Sequence, residues 1–200
     1  MIDLPESPAP QGATVSFVDY GSTLTPTLGG TEQRINRLGS RFALNVALPP
    51  MKNKEKGRVW ISRLIRGMSE GVRMPFPLSG IDPGSAADIG LPTIFLDGHT
   101  GRELRINNFT PGYKVKEGQF FSIETDGNHY LYQASEDQTV NPVGALYLEI
   151  NPLLRVPHRH GDRCHFLKPM IEGFIEGDTW KWDYALDHYV EMQFKIKERR

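Results

Sequence analysis

Two stretches far apart in the chain set the terms on which it can fold. In RFALNVALPP, residues 41–50, Phe42, Leu44, Val46 and Leu48 alternate with Ala43, Asn45 and Ala47. In YVEMQFKIKE, residues 189–198, Val190, Met192, Phe194 and Ile196 alternate with Tyr189, Glu191, Gln193, Lys195 and Lys197. Period two sends successive side chains to opposite faces, so each stretch reads as a long strand with one buried face, the first ended by Pro49-Pro50. Pairing the two would complete one sheet from opposite ends of the chain and make residues 93–156 an insertion; the pattern alone leaves that pairing open.

Along the whole chain, 20 glycines and 15 prolines fall among short patterned segments, the punctuation that many turns joining short strands require. TIFL (93–96), ELRIN (103–107), QFFSIE (119–124), HYLYQA (129–134) and GALYLEI (144–150) recur at regular spacing, as in a small antiparallel barrel or sandwich. The DGN segment at 126–128 predicts a tight hairpin pairing 119–124 with 129–134, because Asp-Gly tolerates positive φ. One segment has helical period: Trp60, Leu64 and Met68 recur at four-residue intervals beside Ile61 and Ile65, with Arg58, Arg63 and Arg66 largely on other faces. It predicts a helix over 55–69 that covers a sheet, its apolar stripe serving as core. Residues 72–92, rich in Pro, Gly and Ser without sustained period, read as a linker or extended loop. The fold class is therefore mainly β with one or two helices, an α+β chain built on an antiparallel sandwich or barrel, with a second small barrel-like module inserted. At 200 residues, one large domain or two small ones are both open.

Charge excludes some function classes. Lys+Arg at 23 against Asp+Glu at 24 gives no global field for nucleic acid or an anionic membrane. No run approaches the roughly 20 apolar residues that cross a bilayer, and MIDLPESPAPQG reads as neither signal peptide nor anchor. The single cysteine, Cys164, excludes an intramolecular disulfide and suits a reducing compartment.

The densest concentration of chemistry is HRHGDRCHF, residues 158–166. His158, His160, Cys164 and His165 are all competent ligands for zinc and similar metals, and a turn at Gly161-Asp162 could oppose them. The HxH spacing brings a cupin to mind, but the further carboxylate, distant histidine and glycine pattern of that motif are missing. The favoured reading is a solvated turn and strand start with Cys164 packed as a small apolar group, leaving no assigned metal, cofactor or catalytic residue. No GxSxG, Walker A or GxGxxG motif occurs. Glu172 with Glu176, and Asp183 with Asp187, read as solvated carboxylates. Trp180, Trp182, Tyr184 and Tyr189 could stack on sugar, although such rings more often fill a core or subunit interface.

Two segments carry a resemblance: GSRFALNVALPPM, and PGYKVKEGQFFSIETDGNHYLYQASEDQTVNPVGALYLEINPLLR, with Gly118, Gln119, Phe120, Pro152 and Arg155 carrying the match. In segment order the chain resembles tail and baseplate proteins of tailed bacteriophages, and is most similar to the distal tail proteins, or baseplate adaptors, of long non-contractile tails. The resemblance implies a mostly β structural protein of the virion, assembled in the host cytoplasm as a hexameric ring. Such a ring joins the tail tube to the tip or hub, and its lumen passes the genome without specific binding or membrane insertion. It implies no catalytic motif and no cofactor.

On this reading residues 1–92 with 157–200 form the ring domain and 93–156 the small module. Residues 1–30 are expected to pack partly on an adjacent subunit, and 72–92 to face a partner or the lumen. Interface candidates are Arg58, Arg63, Arg66 and Arg73, with Trp180, Trp182 and Tyr184. Two other functions compete with this one: a carbohydrate- or receptor-binding module of the tail tip using the aromatics, and a metal-dependent β-barrel enzyme using the histidines.

Overall fold

The computed structural model describes residues 1–177, 179, 181–184 and 188–199, with the side chains of Asp183 and Tyr184 outside the description. The two alternating strands do pair. β5 (Arg41–Lys52) runs antiparallel to β17 (Tyr189–Glu198), with Leu44 opposite Ile196 and Val46 opposite Phe194. Around them the sheet is completed by β1 (Ile2–Asp3), β2 (Gly12–Val18), β6 (Val72–Pro75) and β15 (Met170–Ile175), in the order β1-β6-β15-β17-β5-β2, with β16 (Trp182–Tyr184) beside β17.

β5 continues through Pro49-Pro50 to Lys52, where the sequence predicted its end. The register of β17 slips between Val190 and Met192 opposite these prolines, so the ladder gives up no bond there that their missing N–H groups would have made.

One face of the sheet is apolar and covered. After a single π-type turn (Asn53–Gly57), α1 (Arg58–Glu70) lays Trp60, Ile61 and Leu64 onto Leu44, Val46, Phe194 and Ile196, while Ile65 stays exposed. A Cβ at Gly67 would lie 2.1 Å from Val72 Cγ1, so glycine sets the closeness of helix and β6.

Between β6 and β15 the chain leaves the sheet and builds a closed six-stranded barrel, β10-β11-β13-β8-β7-β14. Its strands are β7 (Gly90–Ile94), β8 (Glu103–Phe109), β10 (Phe120–Thr125), β11 (Asn128–Ala134), β13 (Leu146–Asn151) and β14 (Arg163–His165). The short pair β9 (Lys114–Val115) and β12 (Gln138–Thr139) lies beside it. The expected hairpin is present, Thr125 opposite Asn128 across Asp126 (φ 50) and Gly127 (φ 75). The barrel extends beyond 93–156 at both ends: it starts at Gly90 and closes only when β14 bridges β10 and β7. Its interior is a separate core containing Ile94, Ile106, Phe121, Ile123, Tyr132, Leu148, Cys164 and Phe166.

One expectation about the rest of the chain needs correction. Residues 72–92 are not simply a loop. Val72 and Met74 are buried in β6, and α2 (Ala86–Ile89) is started by a capping box in which Ser85 Oγ accepts from Asp88 N and the Asp88 carboxylate accepts from Ser85 N. Residues 1–18 are also held by their own chain: Ile2 pairs with Val72, Leu4 is buried, and β2 pairs with β5 from Gly12 to Val18. The five residues of MIDLP were too few to show a period. What stands away from the core is the following segment, residues 19–38, folded on itself as the hairpin β3 (Ser22–Leu24) and β4 (Gln33–Ile35).

Candidate functional site

The histidine segment is dispersed by the alternation of β14. Cys164 opposes Ile123 and points into the barrel, while Arg163 and His165 point out. Cys164 is buried, and that burial pushes its thiol pKa well up, so it is an inert apolar filler. His160 is exposed, and its Nδ1 accepts from Leu96 N at 3.2 Å.

His158 is instead enclosed within the barrel region. Thr125 Oγ1 donates to Asp162 at 2.5 Å and therefore accepts from His158 Nδ1 at 2.6 Å, which leaves Nε2 to accept from the Tyr132 hydroxyl at 2.9 Å. Both ring nitrogens are satisfied in the neutral state, and burial lowers the imidazole pKa to about 4. The expected solvated turn is thus a packed relay at His158, and these four residues do not converge on one metal.

His165 has different companions. Its Nε2 lies 3.0 Å from Glu124 Oε2, and the His129 ring is 5.0 Å from its own, centroid to centroid. Glu124 and His129 are cross-strand partners, and His165 opposes Ser122 on the other side of β10. Three neighbouring strands therefore present His129, Glu124 and His165 on the outer face of the barrel. Ser122 Oγ, 3.4 Å from His129 Nδ1, accepts from Met170 N at 3.0 Å and ties the group to β15. Burial, with the charge of Arg73 next, lowers the His129 pKa to about 4. Burial opposes ionisation of Glu124, but the His165 hydrogen bond and the surrounding positive groups outweigh it and hold the carboxyl below its ordinary range. Among the described residues, this is the set that could hold a metal ion.

Where barrel meets sheet, two glutamates have left the surface assigned to polar residues by composition. Glu172 is buried and accepts from Arg73 Nε at 2.8 Å, from Arg199 Nη1 at 3.4 Å and from His129 N at 3.2 Å. Glu198 is buried and accepts from Phe42 N, Leu131 N and Arg155 Nη2 at 2.8–2.9 Å. β11 pairs with β13 only at Gln133 and Ala134, so these carboxylates from the sheet satisfy amides along the rest of its edge. Glu176, in contrast, is a surface partner of Lys195. The side chain of Arg155, the arginine of the resembling motif, is wholly buried, and its guanidinium also lies over the rings of Tyr130 and Tyr132.

The other interface candidates separate in the same way. Arg73 is committed to Glu172 and to Gly127 O. Arg63 donates to Asp3 O at 2.6 Å, Arg66 pairs with Glu70 on its own helix, and Arg58 is exposed. Trp182 is half-buried against the sheet core, Tyr184 is described only as backbone in β16, and Trp180 lies outside the described residues.

The arm at 19–38 carried no signal of its own in the sequence. Its base is keyed in place: the Asp19 carboxylate accepts from Gly21 N at 2.8 Å, from Ser40 Oγ at 3.1 Å and from Arg34, while Tyr20 accepts from Arg41 and lies under the Arg41 and Lys197 cations. Every residue from Thr23 to Leu38 is exposed, including Leu24, Ile35, Leu38 and Leu28, the last at 97%. Beside it β2 is a terminal strand of the sheet with Val15 and Phe17 exposed. A cavity of about 550 Å³, lined by Pro10, Val15, Met74 and Phe76 among others, opens next to that strand. No described helix is long and apolar enough to cross a membrane. No family model matches the chain, and no curated protein matches it.

Proposed function

We propose that this protein is a non-enzymatic structural component of a bacteriophage tail, whose copies form a ring that joins the tail tube to the tip or hub. The observation that carries the reading is the arm. Its root is fixed by a charged network, while Leu24, Leu28 at the tip and Leu38 stay exposed along it and belong to neither core of their own chain. Such an element gains free energy only by burying that surface on another body. A contact between an arm and a different surface of the next copy is heterologous, and heterologous contacts with the right rotation close into rings. The free edge of β2, with Val15 and Phe17, offers the next copy an apolar surface and unpaired strand groups. Sixfold symmetry, the virion location and the passage of the genome through the lumen come from the resemblance of GSRFALNVALPPM and of the 111–155 module to distal tail proteins.

The test is mass photometry and negative-stain imaging of the purified chain over a concentration series, beside a variant with residues 22–35 replaced by a short Gly-Ser turn. Closed rings are expected for the intact chain, and monomers with an unchanged melting temperature for the variant. Monomers of the intact chain at every concentration, or rings from the armless variant, overturn the reading.

A further inference from the structure

We propose that Glu124, His129 and His165 form a binding site for one divalent transition-metal ion of the zinc class. The site is independent of the ring reading and is carried by three features of the barrel.

The first is placement. The three residues come from adjacent strands, with Glu124 opposite His129 in the hairpin register and His165 diagonal to Glu124, two residues along the other neighbour of β10. A sheet surface fixes such side chains side by side with little residual freedom, so much of the ordering cost of a chelate is met by the fold.

The second is distance. One ligand atom from each residue lies within 4.8 Å of the other two, and His165 Nε2 to Glu124 Oε2 is 3.0 Å. Zinc bonds of about 2.0–2.1 Å place tetrahedral ligands about 3.3 Å apart. Small rotations about χ bring the set into range, and two imidazoles with one carboxylate are an established donor set for zinc and its neighbours in the transition series.

The third is the surroundings. Ser122 lies against the His129 ring and is itself fixed by Met170 N, while the His129 amide is held by Glu172. Outer partners of this kind orient ligands. The nearby cations Arg73 and Arg199 are both engaged by the Glu172 carboxylate, so the charge facing the site is partly neutralised. The side chains of His165 and Glu124 remain 27% and 37% exposed, which gives an entry path and leaves a fourth position for water. Hard cations such as Mg²⁺, which prefer all-oxygen shells, are not served by two imidazoles.

The test uses the full chain, tag-free and stripped with chelator, titrated calorimetrically with ZnCl₂, NiCl₂ and MgCl₂, with melting curves alongside. Zinc and nickel are expected to bind at one equivalent and raise the melting temperature, and magnesium to do neither. His165→Asn and Glu124→Gln, both at partly exposed positions, should each weaken zinc binding at least tenfold while circular dichroism stays unchanged. Ser122→Ala should weaken it about tenfold, the usual effect of losing an outer partner. His160→Asn, outside the group, should bind as the parent does. Absence of stoichiometric zinc uptake, or uptake that survives both His165→Asn and Glu124→Gln, overturns the proposal.

Discussion

Replacing Glu198 by alanine tests whether barrel and sheet are joined by a buried charge. Glu198 and Arg155 are 1% and 0% exposed in their side chains; Arg155 Nη2 donates to Glu198 and to Leu131 O, while its Nε and Nη1 have no hydrogen-bond partner among the described residues. Removing the carboxylate leaves a buried cation without its counter-charge, at about 3–5 kcal/mol. It also leaves the amides of Phe42 and Leu131 without an acceptor, at about 1–3 kcal/mol each where water does not enter. Because these costs overlap when water fills the gap, the expected loss is about 4–6 kcal/mol, a large share of the roughly 5–15 kcal/mol that holds a typical domain.

The conservative Glu198→Gln keeps one acceptor oxygen and should fall between parent and alanine. In Arg155→Met with Glu198→Leu both charges go together, and what remains is the two amide penalties with the loss of the Arg155 contacts to Leu131 O and the Tyr130 and Tyr132 rings. That double variant should be more stable than Glu198→Ala, with a coupling of about 2–3 kcal/mol in a double-mutant cycle. Urea unfolding followed by tryptophan fluorescence and far-ultraviolet circular dichroism gives each number. A loss under about 1 kcal/mol for Glu198→Ala, or additive single losses in the cycle, would refute the reasoning.

Two further outcomes follow from the same structure. His158 is neutral in the fold, with its pKa lowered to about 4 by burial, whereas the unfolded chain titrates near 6.5. Between these values the unfolded state binds the extra proton, so its contribution is complete above pH 6.5 and is lost as pH falls toward 4, at about 1.4 kcal/mol per pH unit. His158→Gln should remove that share of the slope in urea melts between pH 4 and 6.5, and an unchanged slope would contradict the assignment. Gly173 sits in β15 where a Cβ would lie 2.0 Å from the Lys197 carbonyl oxygen, so Gly173→Ala should cost about 3 kcal/mol or more. For a chain of this length that lowers the melting temperature by about 6–12 °C by differential scanning calorimetry; a shift below 2 °C would show that the strands part easily.

Much of the candidate site was within reach of the sequence. The Asp126-Gly127 turn fixes the register of its hairpin, and a two-residue turn at that point places Glu124 opposite His129. The third member was out of reach: His165 joins through the pairing of β14 with β10, some forty residues apart, and a three-residue strand is too short to display period two. Adjacency along the chain misled at the same place, because alternation on β14 sends Cys164 into the barrel and His165 out of it. Glu172 read as a solvated residue since carboxylates are rarely buried, and Glu198 drew no reading at all; only their partners, three arginines and several free amides of another layer, make buried carboxylates stable here.

By itself the sequence determined the β-rich class, the buried faces of β5 and β17, the one long helix and the strands of the inserted module, because these follow from side-chain periodicity and from turn residues a few positions away. The tertiary structure decided which strand closes the barrel, which carboxylates fasten it to the sheet, and that residues 23–38 stand clear of both cores. Those outcomes depend on pairings between distant segments, whose energies arise from burial and charge compensation created only when the layers meet.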